Sequence, residues 1–261
     1  MSKRLILVIG QKGGTGKSTA SRAILDRLRR DGIPTAAYDG DGADVGQFYQ
    51  FYAAKNSAGD LVDPQDPLTG VVAYDVRHPR ERDALLNSLA TGADVIIHDL
   101  PGGSLLPLLS ITGSADALVD QVGRYGYRVT LIIVLSPAFA SALITGDIVA
   151  AFGTAVDYVA IKNLALGLDE DFRIFDGYVD GEGAKGGKGK AALLASGGRI
   201  ITMPRTLLEA GTYWLIDLYD LPFAAATDDP RLTISDRSRS HGFVTEFDRQ
   251  LSTVGPFLGL R

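Results

Sequence analysis

A chain of 261 residues with 46% hydrophobic side chains can bury a full core, and its 26 basic and 31 acidic residues leave a net charge of −5. That balance excludes a molecule that is basic overall, so any contact with nucleic acid or anionic lipid must come from a local patch. The absence of cysteine excludes disulfides, thiolate-held zinc, iron–sulfur clusters and cysteine nucleophiles.

Short apolar, β-branched runs alternate with longer amphipathic stretches along the chain. This is the pattern of a mostly parallel, twisted sheet of about seven strands with helices on both faces, and residues 1–261 read as one α/β domain. The first run, 5–9, ends at Gly10 in a glycine and lysine loop instead of a cleavage site, so it reads as a buried strand and not a leader. A helix follows over 17–30, with Ala20, Ile24, Leu25 and Leu28 on one stripe and Arg22, Asp26, Arg29 and Arg30 off it. Gly32 and Pro34 end it. A strand at 35–39 precedes an aromatic cluster in which Phe48, Phe51 and Tyr52 share a helical face, read as core. Further strands are expected at 71–75, 95–99, 129–135, 158–162 and 199–203. Helices are expected at about 80–89, 115–124, 138–151, 205–218 and 242–251. His98 and Asp99 are strand neighbours and point to opposite faces, which argues against a His–Asp metal pair. Residues 181–190 are too rich in glycine to hold a regular element and read as a loop. The last helix carries mixed charge, so it reads as packed against the body and not laid on a membrane. No apolar stretch approaches the roughly 20 residues that cross a bilayer, and a cytoplasmic location is expected.

The chemistry concentrates in the loop after the first strand. Gly13, Gly14 and Gly16 let backbone N–H groups turn inward, and the helix that starts behind them adds its positive dipole end, which together make a cradle for clustered phosphates. Lys17 can reach β- and γ-phosphates, the Ser18 hydroxyl is placed to ligate magnesium, and Thr19 to meet an α-phosphate. The full pattern G-x-x-x-x-G-K-[ST] would place glycine at Gln11, but the strand, loop and helix stand in the order that the mechanism needs. Asp39, closing the second strand, also suits a dinucleotide fold. No G-x-G-x-x-G can be drawn through residues 10–20, however, and Gly16-Lys17-Ser18 has no purpose there.

With its second lysine, Lys12-Gly13-Gly14-Thr15-Gly16-Lys17-Ser18 resembles the deviant Walker A motif of the ParA/MinD superfamily of P-loop ATPases. Asp39-Gly40-Asp41 resembles the family's switch I, and Asp99-Leu100-Pro101-Gly102-Gly103 its Walker B aspartate and switch II. Asn163 is similar to the asparagine that recognises adenine, and Met203-Pro204-Arg205 to a late loop beside the base. The resemblance spans about residues 3–205. It implies ATP and Mg2+ as cofactors, with the phosphates held by residues 12–19, the base near Asn163 and Pro204, and the metal at Ser18 and, through water, Asp99. It also implies an ATP-dependent homodimer in which Lys12 of one copy reaches the phosphates of the other while Asp41 orients the attacking water. Where the family continues switch I with Pro-Gln, this chain has Gly42-Ala43-Asp44.

Lacking cysteine, the chain does not fit the superfamily's iron–sulfur members, and it ends without the tyrosine cluster of its kinases. The ParA-like branch of partition and cargo-positioning ATPases remains, implying non-specific DNA and a stimulating partner protein. Two basic groups suit DNA: Lys185, Lys188, Lys190, Arg199 and Arg205, and Arg231, Arg237, Arg239 and His241. Either can equally be a solvated surface. The alternatives are an accessory ATPase of plasmid conjugation or maintenance acting on a protein, and a metabolic ATP-dependent enzyme of the same fold. Lys12 favours the switch.

Overall fold

A computed structural model describes residues 3–260, apart from the side chains of residues 207, 208 and 210. Its centre is a seven-stranded sheet made of β1 (Lys3–Gly10), β2 (Thr35–Asp39), β3 (Val72–Ala73), β4 (Val95–Gly102), β5 (Tyr127–Leu135), β6 (Asp157–Asn163) and β9 (Arg199–Met203). The order across the sheet is β3-β2-β4-β1-β5-β6-β9, and every neighbouring pair is parallel. The hairpin of β7 (Tyr178–Asp180) and β8 (Gly183–Lys185) stands apart from it.

Alternation along the strands sends side chains to two cores. Leu5, Leu7 and Ile9 pack with α3 (Ala84–Asn87), α4 (Leu105–Ser110), α5 (Ala115–Arg124), α6 (Phe139–Phe152), α7 (Arg173–Asp176) and α8 (Lys188–Ala195). Ile6 and Val8 pack on the other face with α1 (Lys17–Arg30), α2 (Gln47–Tyr52), α9 (Thr212–Leu218), α10 (Ile234–Thr253) and α11 (Gly255–Leu258). Because all strands run the same way, their carboxyl ends share one edge. The chain leaves β1 for the β2 side and later returns to its other side through β5, so a crevice opens at that edge beside β1. Among the described residues no helix is long and apolar enough to cross a membrane.

Several expected elements differ in the structure, each for a local reason. The strand at 71–75 is only Val72–Ala73, and the helix at 80–89 is reduced to α3 and a 3-10 turn, Ser88–Thr91. The Glu81 carboxylate accepts from the Asp75 N–H at 2.9 Å, and residues 78–84 close tight turns ahead of the helix. The helix at 205–218 splits into a 3-10 stretch, Thr206–Gly211, and α9, because Gly211 adopts a φ of 76°. The final helix starts eight residues earlier than expected. Thr233 caps it by accepting from Asp236 N at 3.2 Å, and Phe243, Phe247 and Leu251 bury its packed face. The glycine-rich segment 181–190 holds β8 and the start of α8. Its Gly189 lets α8 lie on α6, where an added Cβ would sit 3.2 Å from the Ala142 carbonyl oxygen. Arg22 and Asp26, off the apolar stripe of α1, are nevertheless 0% and 9% exposed.

Candidate functional site

The loop from β1 to α1 passes through two left-handed glycines, Gly14 with φ 74° and Gly16 with φ 94°. A Cβ on Gly16 would lie 2.3 Å from the Asn163 amide nitrogen, so only glycine lets the loop settle against β6. A Cβ on Gly13 or Gly14 would meet nothing within 4 Å. That open side belongs to a cleft of about 210 Å³ whose lining includes Gly13, Gly14, Lys17, Ser18, Asp41 and Asp99. The first turn of α1 carries no acidic residue and no side-chain cap, so its amides and dipole face the cleft uncompensated.

Lys17 is only 7% exposed, and its ammonium donates to the Lys12 carbonyl at 3.1 Å. Beside it the Asp99 carboxylate accepts from Ser18 Oγ at 2.6 Å and from Ser21 Oγ at 2.9 Å. The register of β2 on β4 sets Asp39 next to Asp99. Asp39 is fully buried and accepts from the backbone N–H groups of Asp41 at 3.0 Å and Tyr49 at 2.9 Å. Burial, reinforced by the Asp99 charge, pushes the Asp39 carboxyl well above the usual carboxylate range. Burial also pushes Asp99 up, against the opposing pull of Ser18, Lys17 and Ser21.

Asp41 also lines the cleft. Arg77 brackets it, standing 3.0 Å from its carboxylate and donating to its carbonyl at 3.2 Å, while the same guanidinium donates to Asp75 at 2.8 Å. Lys12 lies exposed in the loop, with no ion pair among the described residues. Thr15 is buried, and Thr19 lines the cleft with its hydroxyl 2.8 Å from that of Tyr213. Asn163 donates to the Thr15 carbonyl at 2.9 Å and accepts from Ala165 N at 3.1 Å, which puts its amide behind the loop and outside the lining of the cleft. Pro204 lies outside that lining too. The residues after Asn163 and Pro204 border a second depression of about 370 Å³, between Leu164, Leu168, Asp171 and Arg205.

The arrangement fits a nucleotide phosphate with a magnesium ion. The glycine loop turns its open side to the cleft, and the oxygen donors at Ser18 and Asp99 are the hard ligands that such an ion prefers. Among the described residues no three His, Asp or Glu side chains converge to hold a metal alone, so an ion here needs phosphate or water oxygens as well. His98 takes no part in this site. It stacks on Tyr38 at 4.7 Å on the opposite face of the sheet, bonds Tyr74 and Ser88, and burial pushes it down to about 3.

Ser21 and Arg77 were not anticipated. Ser21 stands three residues beyond Ser18 on the same helix face, a spacing that could have found it. Arg77 reaches Asp41 only through a bridge between Asp41 and Asp75, which no local pattern reveals. The basic groups are largely neutralised: Lys185 pairs with Glu182 at 3.0 Å, Lys190 with Asp176 at 2.8 Å, Arg231 with Asp229 at 2.7 Å and Arg239 with Asp236 at 3.3 Å.

No family model and no curated protein matches this chain. Solved structures do. The septum site-determining protein MinD from Pyrococcus horikoshii, complexed with Mg-ADP, is 16% identical, with a TM-score of 0.50 over 97% of this chain and 98% of that one. The MinD cell division protein of Aquifex aeolicus is 11% identical, with a TM-score of 0.50 over 96% and 97%. The class that the fold defines is the P-loop NTPase. Within that class the chain shares the fold of these MinD structures.

Proposed function

We propose that residues 1–261 act as one P-loop ATPase domain that binds Mg-ATP in the cleft beside β1, pairs with a second copy while ATP is bound, and hydrolyses it to ADP and phosphate. The observation that carries this reading is the division between the two loop lysines: Lys17 is buried within the cleft, whereas Lys12 is exposed and has no ion pair among the described residues. A cation held in this way on the rim is available to a second copy. In this reading the loop amides and Lys17 hold the phosphates, Ser18 and, through water, Asp99 hold magnesium, and Asp41 orients the attacking water. A magnesium ion held there would draw charge from the phosphate oxygens. Lys12 from the second copy adds charge as the transferred phosphoryl group departs, which is how positioned cations speed phosphoryl transfer.

The biological reading is a cytoplasmic switch that positions DNA or another cargo, with a partner protein that stimulates turnover. An accessory ATPase acting on a protein is the second reading. The neutralised lysines of 182–190 favour it, because a phosphate backbone would have to displace their own acids. Lys12→Ala should bind ATP yet remain monomeric on size exclusion with ATP and magnesium, while the unaltered chain dimerises. Normal dimerisation and turnover by the variant would overturn the switch reading. Turnover raised by DNA, or only by a protein, separates the two cargo classes.

A further inference from the structure

Arg22 presents a problem that the site described above does not solve. It sits on α1 one turn beyond Ser18 and Thr19, is 0% exposed, and places its guanidinium among the rings of Phe51, Phe223, Tyr52 and Tyr213 at 4.6–5.6 Å. Its Nη1 donates to Asp217 at 2.7 Å and to the Tyr213 hydroxyl at 3.3 Å, while Nε and Nη2 have no hydrogen-bond partner among the described residues. A buried charge of this kind is costly, and leucine or methionine would fill the space without that cost. The aromatic faces and Asp217 offset the burial. They do not explain why the charge is there.

The direction of the hydrogen bonds supplies a reason. Arginine can only donate, so the Tyr213 oxygen accepts from Arg22 and keeps its own proton to give. The other partner of that hydroxyl is Thr19 Oγ1 at 2.8 Å. If Tyr213 gives its proton to Thr19, the Thr19 proton is free to point into the cleft that Thr19 lines. Every donor in the series Arg22, Tyr213, Thr19 then faces the same way, toward an anion. Hydrogen bonds aligned in series polarise one another, and a cation at the far end strengthens the last donor.

We infer that Tyr213 is a positioning residue for bound phosphate: it orients and polarises the Thr19 hydroxyl, with Arg22 behind it as the charged end of the relay. The inference rests on the nucleotide-binding reading and extends it to α9, an element outside the loop and the two switch segments. It also makes α9 sensitive to what occupies the cleft. Trp214, next to Tyr213 and the sole tryptophan of the chain, is 64% exposed and reports on that helix.

The test is a double-mutant cycle on Mg-ADP binding, measured by calorimetry for the unaltered chain, Tyr213→Phe, Thr19→Val and the combination. Tyr213→Phe keeps the ring that packs on Phe223, and its melting temperature checks that it folds. If it melts early, Thr19→Val, which nearly keeps the side-chain volume, carries the comparison through the effect of adding Tyr213→Phe to it. Each single change should weaken Mg-ADP by about fivefold to tenfold, and the double variant should bind no more weakly than Thr19→Val alone. Mg-ADP should shift Trp214 fluorescence in the unaltered chain and much less in Tyr213→Phe. Unchanged affinity in Tyr213→Phe, or effects that multiply in the double variant, would overturn the relay. Failure of the unaltered chain to bind Mg-ADP is a separate outcome, which removes the nucleotide reading and the relay with it.

Discussion

Two parts of this molecule drew notice for their lysines and glycines, the loop at 11–19 and the segment at 181–190, and they use them in opposite ways. In the loop, glycines open backbone toward a cleft, and neither Lys12 nor Lys17 has a carboxylate partner of its own within ion-pair distance among the described residues. In the segment, Gly189 lets α8 pack closely on α6 and Gly186 lets the chain pass close to α7, and the lysines find carboxylates: Lys185 with Glu182, Lys190 with Asp176, the latter shared with nearly buried Lys162. Similar composition thus marks an open cleft, the proposed ligand cradle, where charge is left unmatched and a packing device where it is matched. What separates the two is the presence of acids in space, which composition does not record.

The largest expected effect is in the loop. Lys17→Ala removes the buried ammonium that lines the cleft and should weaken ATP by about 1000-fold in calorimetry. Near-normal affinity would place the cradle elsewhere. Asp41→Ala should leave ATP binding in place while slowing turnover by about 100-fold, with the ATP-bound dimer accumulating on size exclusion. Unchanged turnover would move the water-orienting role to another group.

Changes in the segment should act on stability instead. Asp176→Ala leaves Lys162, at 7% side-chain exposure, paired only with the exposed Asp169, and should cost about 2–3 kcal/mol in urea unfolding. Burial alone would raise the Asp176 carboxyl, but hydrogen bonds from Lys162 and Lys190 outweigh it and hold it below the usual range. A carboxyl lowered in the folded state contributes stability above the ordinary carboxylate pKa and loses it as pH falls through the folded value. The gap between variant and unaltered chain should therefore be full at pH 7 and close progressively below about pH 4. A gap as large at pH 3 as at pH 7 would point to packing instead of charge.

The smallest effect is expected from the joint change of Lys185, Lys188 and Lys190 to Ala, read as the salt dependence of any DNA binding with ATP and magnesium. Three free cations would change the log–log slope by up to about three units, but only Lys188 lacks an acid partner among the described residues, so the change should not exceed about one. A shift near three would mean that DNA pulls Lys185 and Lys190 from their acids.

Much of the site was legible because its signals are local. Strand, glycines, lysine and serine stand within ten residues, and Lys17–Arg30 and Thr35–Asp39 have the boundaries that their periodicity and stop signals indicate. The aromatic reading also holds in part, with Phe48 fully buried and Phe51 and Tyr52 half-buried against Arg22. Elsewhere local signals competed. Gly211 broke one expected helix, and the Thr233 cap that lengthens the last one stands nine residues before the amphipathic stretch that was recognised.

By itself, then, the sequence determined the α/β class, the place of the glycine loop between β1 and α1 and the acids that end β2 and β4, since each depends on residues close together in the chain and on the fixed periods of strand and helix. Only the tertiary structure decided which charges remain unmatched. The Asp39–Asp99 neighbourhood needs the β2–β4 register, Arg77 meets Asp41 across a bridge, and Arg22 is buried because α9 brings Tyr213 and Asp217 to it from 191 and 195 residues away. Electrostatic energy depends on distance and burial in space, and neither can be read from separation along the chain.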